Sequence, residues 1–301
     1  MTILQQDILK TLLYHQVFRY PMRAEEVFLY LPSNSITFEY FQRELDKAVE
    51  LRLLFRYEQY YGVDSHIEEL VASRVKKEIF ARRRWKVARI VAHVIKRFPF
   101  VRGCFITGTL SKNVSTPDCD IDLFIVTLPN RLWITRTLLI LFKKIFLFNS
   151  KKYFCVNYFV TEDALAIPEK NLFTAIEIAT SKPLIEPKLH LQFLQRNDWI
   201  TDYLPNWNIK RAKLNDAMSN TSSFRNLFEL ILQWRRINQL DNYLMRKWKT
   251  IWEHRYPEMS VEDRDFLFMV EKTRSKAHPP DSQNKILSNY TALCREYGLL
   301  A

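Results

Sequence analysis

Residues 101–128 read VRGCFITGTLSKNVSTPDCDIDLFIVTL, and the parsing of this stretch decides the fold. A short apolar run, Cys104 to Ile106, reaches Gly108. A polar loop carrying Pro117 follows, then Asp118-Cys119-Asp120-Ile121-Asp122 and a second apolar run, Leu123 to Val126. Two short apolar runs bounded by turn residues predict two paired strands. On extended chain, side chains at i and i+2 share a face, so Asp120 and Asp122 are expected on one side and Ile121 and Leu123 on the other. Two carboxylates held this close repel and raise one pKa sharply, which a cation between them relieves. Oxygen ligands of this kind suit Mg²⁺, which takes one or two carboxylates plus substrate phosphates. A Gly-Thr pair where a strand opens into a short helix lets backbone approach a phosphate. The bland alternative is a hairpin with an acidic turn that binds nothing.

Gly108-Thr109, a spacer, and Asp120-Ile121-Asp122 twelve residues after the glycine together resemble the nucleotidyltransferase superfamily of the DNA polymerase β type, in particular its small bacterial members. That family carries Gly-Ser on a short helix and then Asp-x-Asp on a strand. Thr109 keeps the hydroxyl, and Pro117-Asp118 also fits the pattern. The resemblance covers about residues 99–165. It implies a small mixed sheet flanked by helices and transfer of a nucleoside monophosphate from a nucleoside triphosphate to an acceptor. It implies Asp120 and Asp122 as catalytic ligands of Mg²⁺ or Mn²⁺, and Gly108, Thr109, Ser111 and Lys112 as holders of the β- and γ-phosphates. Asp118 is a weaker candidate for orienting the loop. The acceptor stays open: a protein side chain, a small molecule or RNA.

A later strand often adds a third carboxylate in this family. Tyr153–Val160, YFCVNYFV, is the candidate strand, and Asn157 stands at the matching place. Asn can ligate through its carbonyl oxygen but brings no charge. Glu162 and Asp163 could substitute from the strand end. A rival reading follows: a catalytically inactive nucleotidyltransferase-like domain serving as a nucleic-acid or protein adaptor.

The chain has 301 residues and a net charge of +12, which favours a polyanionic partner or phosphorylated substrate. Only 4 glycines argue against a glycine-cradle enzyme such as a P-loop protein. Cys104, Cys119, Cys155 and Cys294 show no CxxC spacing, so neither a zinc site nor a disulfide framework is expected. Nothing at Met1 resembles a secretory signal, and a cytoplasmic protein is the default expectation.

The expected fold class is α+β, with a mixed-sheet core between an N-terminal winged-helix-like segment and a C-terminal helical region. Residues 1–63 read as three helices (7–20, 23–31 and one capped by Ser35 or Thr37) and a hairpin, 53–57 with 59–63. A winged helix would put its third helix on nucleic acid. Here that helix carries Glu39, Glu44, Asp46 and Glu50 beside Arg43 and Lys47, a poor match to phosphates, so a structural or protein-contact wing is favoured. Residues 64–98 read as a basic connector helix and 99–207 as the catalytic domain. Within the latter, 131–148 is a very apolar helix interrupted by Arg136, Lys143 and Lys144. It is too short and too charged to span a bilayer, with a peripheral membrane contact as the lesser alternative. Residues 168–184 are expected to be helical. Residues 208–223 read as a polar linker, and 224–255, 261–272 and 284–297 as C-terminal helices.

Overall fold

A computed structural model describes residues 1–33, 36–150, 152–209, 217–219, 223–231, 237–277 and 282–300. The N-terminal unit contains α1 (Ile3–Gln16), β1 (Met22–Arg23), α2 (Ala24–Tyr30), α3 (Phe38–Glu50), β2 (Phe55–Tyr57) and β3 (Tyr60–Gly62). Helix α1 opens on a capping box, Thr2 with Gln5, which satisfies two otherwise orphaned backbone donors. Thr37 caps α3 by accepting from the Tyr40 amide. The hairpin is present, and β1, not expected from sequence, pairs antiparallel with β3 to give a sheet of order β1-β3-β2. Ile8, Leu12, Leu13, Phe41 and Leu45 fill the core of this unit.

Helix α4 (Ile67–Ile95) then leads to β4 (Val101–Ile106), the short α5 (Gly108–Ser111) and β5 (Asp122–Thr127). After β5 come α6 (Leu132–Phe146) and β6 (Cys155–Thr161), then α7 (Leu172–Thr180), β7 (Lys182–Ile185) and α8 (Pro187–Arg196). The expected strand pair is there: β4 and β5 are antiparallel, with Cys104 opposite Ile125 and Ile106 opposite Leu123. Strand β6 runs parallel to β5 through the α6 crossover, with Asp122 opposite Cys155. A mixed five-stranded sheet of order β7-β4-β5-β6-β8 results.

Alternation along the strands sorts the core into two layers. Cys104, Ile106, Leu123 and Ile125 pack with α4 and α6. Phe105, Phe124 and Val126 face the other way, onto α7 and α8. Both faces of the central strands are therefore covered, which is why they read as unbroken apolar runs.

Two expected helices end early. The stretch 168–184 is helical only over α7; Ser181 turns the chain, and β7 joins the sheet beside β4. Pro183 is tolerated because β7 is an edge strand. The stretch 261–272 is helical only over α11 (Val261–Leu267), and β8 (Arg274–Lys276) closes the opposite edge against β6. The long helix expected over 224–255 is described as α9 (Ser223–Ile231) and α10 (Ile237–Arg255); residues 232–236 lie outside the described residues. Most of the expected linker lies outside them too, although Met218 bridges to Ile185. Helix α10 packs on α6 through Trp248, whose indole donates to Thr137 Oγ1 at 2.9 Å. Helix α12 (Ser282–Glu296) returns to the N-terminal unit, where Cys294 is buried and Tyr290 meets Tyr14 edge-on. All four cysteines are free thiols.

Candidate active site

The end of β4 and the start of β5 meet at one point. Asp122 is the first residue of β5, so Asp120 lies in the loop just before the strand rather than on it. Gly108 has φ +66, and a Cβ added there would overlap Asp122 Oδ2. Glycine is therefore required twice over, by the left-handed backbone and by the carboxylate leaning against it. The Thr107 amide donates to the Asp122 carbonyl at 3.1 Å and locks the two strand ends together.

The other candidate residues surround this contact unevenly. Thr109 is exposed. Ser111 is buried, and its hydroxyl donates to the Gly108 carbonyl at 2.8 Å, so it stabilises the turn from inside. Lys112 is half-buried, with Nζ 2.5 Å from Glu177 Oε1 and 3.3 Å from the Gly108 carbonyl. Asn157 reaches the site from β6, its amide donating to Asp122 Oδ1 at 3.4 Å. It sits where the β5–β6 register shifts, between the Leu123–Val156 and Phe124–Tyr158 pairs. Glu162 and Asp163 do not substitute for it. They follow Thr161, which pairs with Thr127 at the far end of β5, about 16 Å from Asp122 by strand rise. Asp118 is exposed on the loop.

Two contributors escaped the sequence reading. Glu177, on α7, accepts a hydrogen bond from the Gly108 amide at 2.9 Å while pairing with Lys112. Its one signal was that it is the lone charged residue in Leu172–Ser181. Cys155, at the start of β6, donates its thiol to Asp120 Oδ2 at 3.5 Å.

Burial, first, and then the charges of Glu177 and Asp120 push the Asp122 carboxyl up to about 7. The Cys155 contact and the Lys112 charge pull it back only in part. Burial, followed by Asp122 and Asp120, also pushes the Cys155 thiol up to about 12, which keeps it a proton donor. Negative charge in this corner thus exceeds the positive charge that Lys112 provides.

Among the described residues, no group of three or more His, Cys, Asp or Glu side chains is placed to hold an ion by protein ligands alone. Asp120 and Asp122 offer hard oxygens, and the raised Asp122 carboxyl marks a place where a divalent cation relieves repulsion. That donor set fits an ion that arrives with part of its coordination supplied by a phosphorylated ligand. No family model, no curated protein and no solved structure matches this chain.

Proposed function

We propose that this chain is a metal-dependent nucleotidyltransferase of the polymerase β type, moving a nucleoside monophosphate from a triphosphate to an acceptor hydroxyl or amine. One observation carries the reading: a partly buried Asp122 with a raised pKa is pressed against Gly108, the glycine of the Gly-Thr pair, beside Asp120. A fold with no use for a cation gains nothing from such crowding. The antiparallel β4–β5 pair and parallel β6 agree with a small mixed sheet of the implied kind.

In this reading Asp120 and Asp122 hold Mg²⁺ or Mn²⁺, which when bound supplies charge neutralisation for the transferring phosphoryl group. Gly108 and Thr109 present backbone N–H groups to the phosphate chain, and Lys112 adds positive charge. Glu177 now occupies the Gly108 amide and Lys112, so both donors become available to a phosphate only when it lets go. Asn157 steadies the Asp122 oxygen that it touches. The α1–α3 bundle with the β2–β3 hairpin is read as a winged-helix-like module whose acidic third helix suits a structural or protein-contact role.

The test is to incubate purified protein with labelled triphosphates, Mg²⁺ or Mn²⁺ and candidate acceptors. Label transfer by the wild type and its loss in an Asp120→Ala/Asp122→Ala double variant is the expected result. Equal incorporation by the two sinks the assignment. The rival reading, a silent nucleotidyltransferase-like adaptor, is favoured by the uncharged Asn157. It requires salt-dependent nucleic-acid binding without any metal-dependent nucleotide binding.

A further inference from the structure

Helix α6 changes character along its length. Leu132, Trp133, Ile134, Thr135, Arg136 and Leu139 are buried, yet the C-terminal half projects Leu141, Ile145 and Phe146 into solvent, followed by Phe148. Phe146 is 64% exposed and Phe148 is 92% exposed. These rings are held out by a built corner. The Lys143 carbonyl accepts from the amides of Leu147 and Asn149 at 3.1 and 3.0 Å, and both Phe148 and Asn149 are left-handed, at φ 47 and 61. A left-handed phenylalanine is costly for an L-residue and is held here with its side chain in water.

The charge along the tip's own stretch of chain has one sign. From Arg131 to Thr161 the sequence has no Asp or Glu, while it has Arg131, Arg136, Lys143, Lys144, Lys151 and Lys152. Lys144 is exposed next to the projecting rings, and Lys152 lies over the exposed Tyr153 at 5.9 Å from its centroid. Among the described residues, no helix is long and apolar enough to cross a membrane.

We infer that the α6 tip docks on an anionic lipid bilayer, inserting Ile145, Phe146 and Phe148 below the headgroups while Lys144 and Lys152 meet the lipid phosphates. Large exposed apolar side chains flanked by lysines on an otherwise folded helix are what an interfacial contact needs. Aliphatic Leu141 and Ile145 offer nothing to a nucleic-acid backbone. A few side chains at one helix end fall far short of the ~800 Å² per partner of a stable dimer. Anionic phospholipid, by contrast, satisfies both the apolar and the cationic components in a small footprint. Buried Arg84 donates to the Lys152 carbonyl at 3.0 Å and to the carbonyls of Pro117 and Cys119 at 2.9 and 2.7 Å, tying the base of the tip to the loop that carries Asp120.

The experiment is co-flotation of the full chain with vesicles of phosphatidylcholine alone or mixed with phosphatidylglycerol, without nucleotide. Binding to the mixed vesicles, weakened by salt, is expected. Phe146→Ser/Phe148→Ser and Lys144→Glu/Lys152→Glu are each expected to weaken it by about tenfold or more. Slower amide exchange over residues 141–149 on mixed vesicles checks the contact in the unaltered chain. Absence of binding to mixed vesicles overturns the inference, as does binding that ignores both double variants. A dimer in light scattering that Phe146→Ser/Phe148→Ser converts to monomer assigns the tip to a second copy and overturns it too. So does RNA or DNA binding lost in the same variants in place of vesicle binding.

Discussion

Two partly buried carboxylates in this molecule have opposite fates. Glu26, on α2, meets Arg74 of α4 through two hydrogen bonds of 2.7 Å and accepts from the Arg23 amide and the Tyr20 hydroxyl. Burial alone would raise its pKa, but the Arg74 guanidinium and the backbone donor more than offset this and hold Glu26 below the usual carboxylate range. Asp122 is partly buried among like charges instead, and its carboxyl rises to about 7. Arg74 also pairs with Glu78 at 2.9 Å, accepts Tyr20 and Tyr60 rings on its faces, and donates to the Pro21 carbonyl. One carboxylate is neutralised within the fold and joins the N-terminal unit to α4. The other sits among like charges that Lys112 offsets only in part. The difference separates charge that the fold neutralises from charge that it leaves uncompensated, which under the proposed function is the charge that meets the cation.

The largest way to break this contrast is to remove the guanidinium. Arg74→Ala leaves Glu26 and Glu78 uncompensated and is expected to cost about 3–5 kcal/mol, read by denaturant unfolding. A loss under ~1 kcal/mol would mean that the network does not hold the two units together. Gly108→Ala comes next, at about 2 kcal/mol, because alanine resists the left-handed backbone and its Cβ overlaps Asp122. Label incorporation should also fall to background, whereas a variant with normal turnover would separate Gly108 from the chemistry.

Asp122→Asn should do the reverse of Arg74→Ala, keeping or raising stability while ending metal-dependent nucleotide binding. The pH dependence gives the sign. The unperturbed Asp value is 3.8 and the folded value is about 7, so the folded state binds this proton more tightly. Asp122 therefore subtracts stability as pH rises from about 4 to about 7, fully so above that. Glu26 runs the other way: its contribution is present above its ordinary 4.5 and is lost as pH falls through the lower folded value. Melting curves across this range should show a decline above pH 4 that Asp122→Asn flattens and that added Mg²⁺ reverses in the wild type. The smallest effect belongs to Glu177→Gln. It should change stability by under about 1 kcal/mol and lower the Asp122 pKa, read by NMR titration. It should also strengthen triphosphate binding severalfold, by removing the charge that pairs with Lys112.

The strands that position the site were legible because β4 and β5 are covered on both faces and so spell apolar runs between turn residues. The hairpin β2–β3 and the cap at Thr37 were legible for equally local reasons. Strand β7 was hidden because Leu172–Ile185 has apolar residues on both sides of its polar Thr180-Ser181-Lys182 step, and period alone cannot say where a buried helix ends and a buried strand begins. Strand β8, Arg-Ser-Lys, has no apolar residue to betray it; its place depends on backbone pairing with Tyr158, Phe159 and Val160. Glu177 was missed for a different reason. It lies 69 residues from the Gly108 amide it contacts, and only the path of α7 over the sheet unites them.

The five-stranded sheet ends on both sides in segments that resist growth. One border carries Pro183, which has no amide to donate, and the other is three residues long with Arg274 and Lys276. Between them lies the aromatic and β-branched run of β6, which left bare would template polymerisation with neighbouring molecules. A cut that removes residues after Leu267 would strip that shield, so shortened forms of this chain should precipitate as stacked strands before they lose their helices.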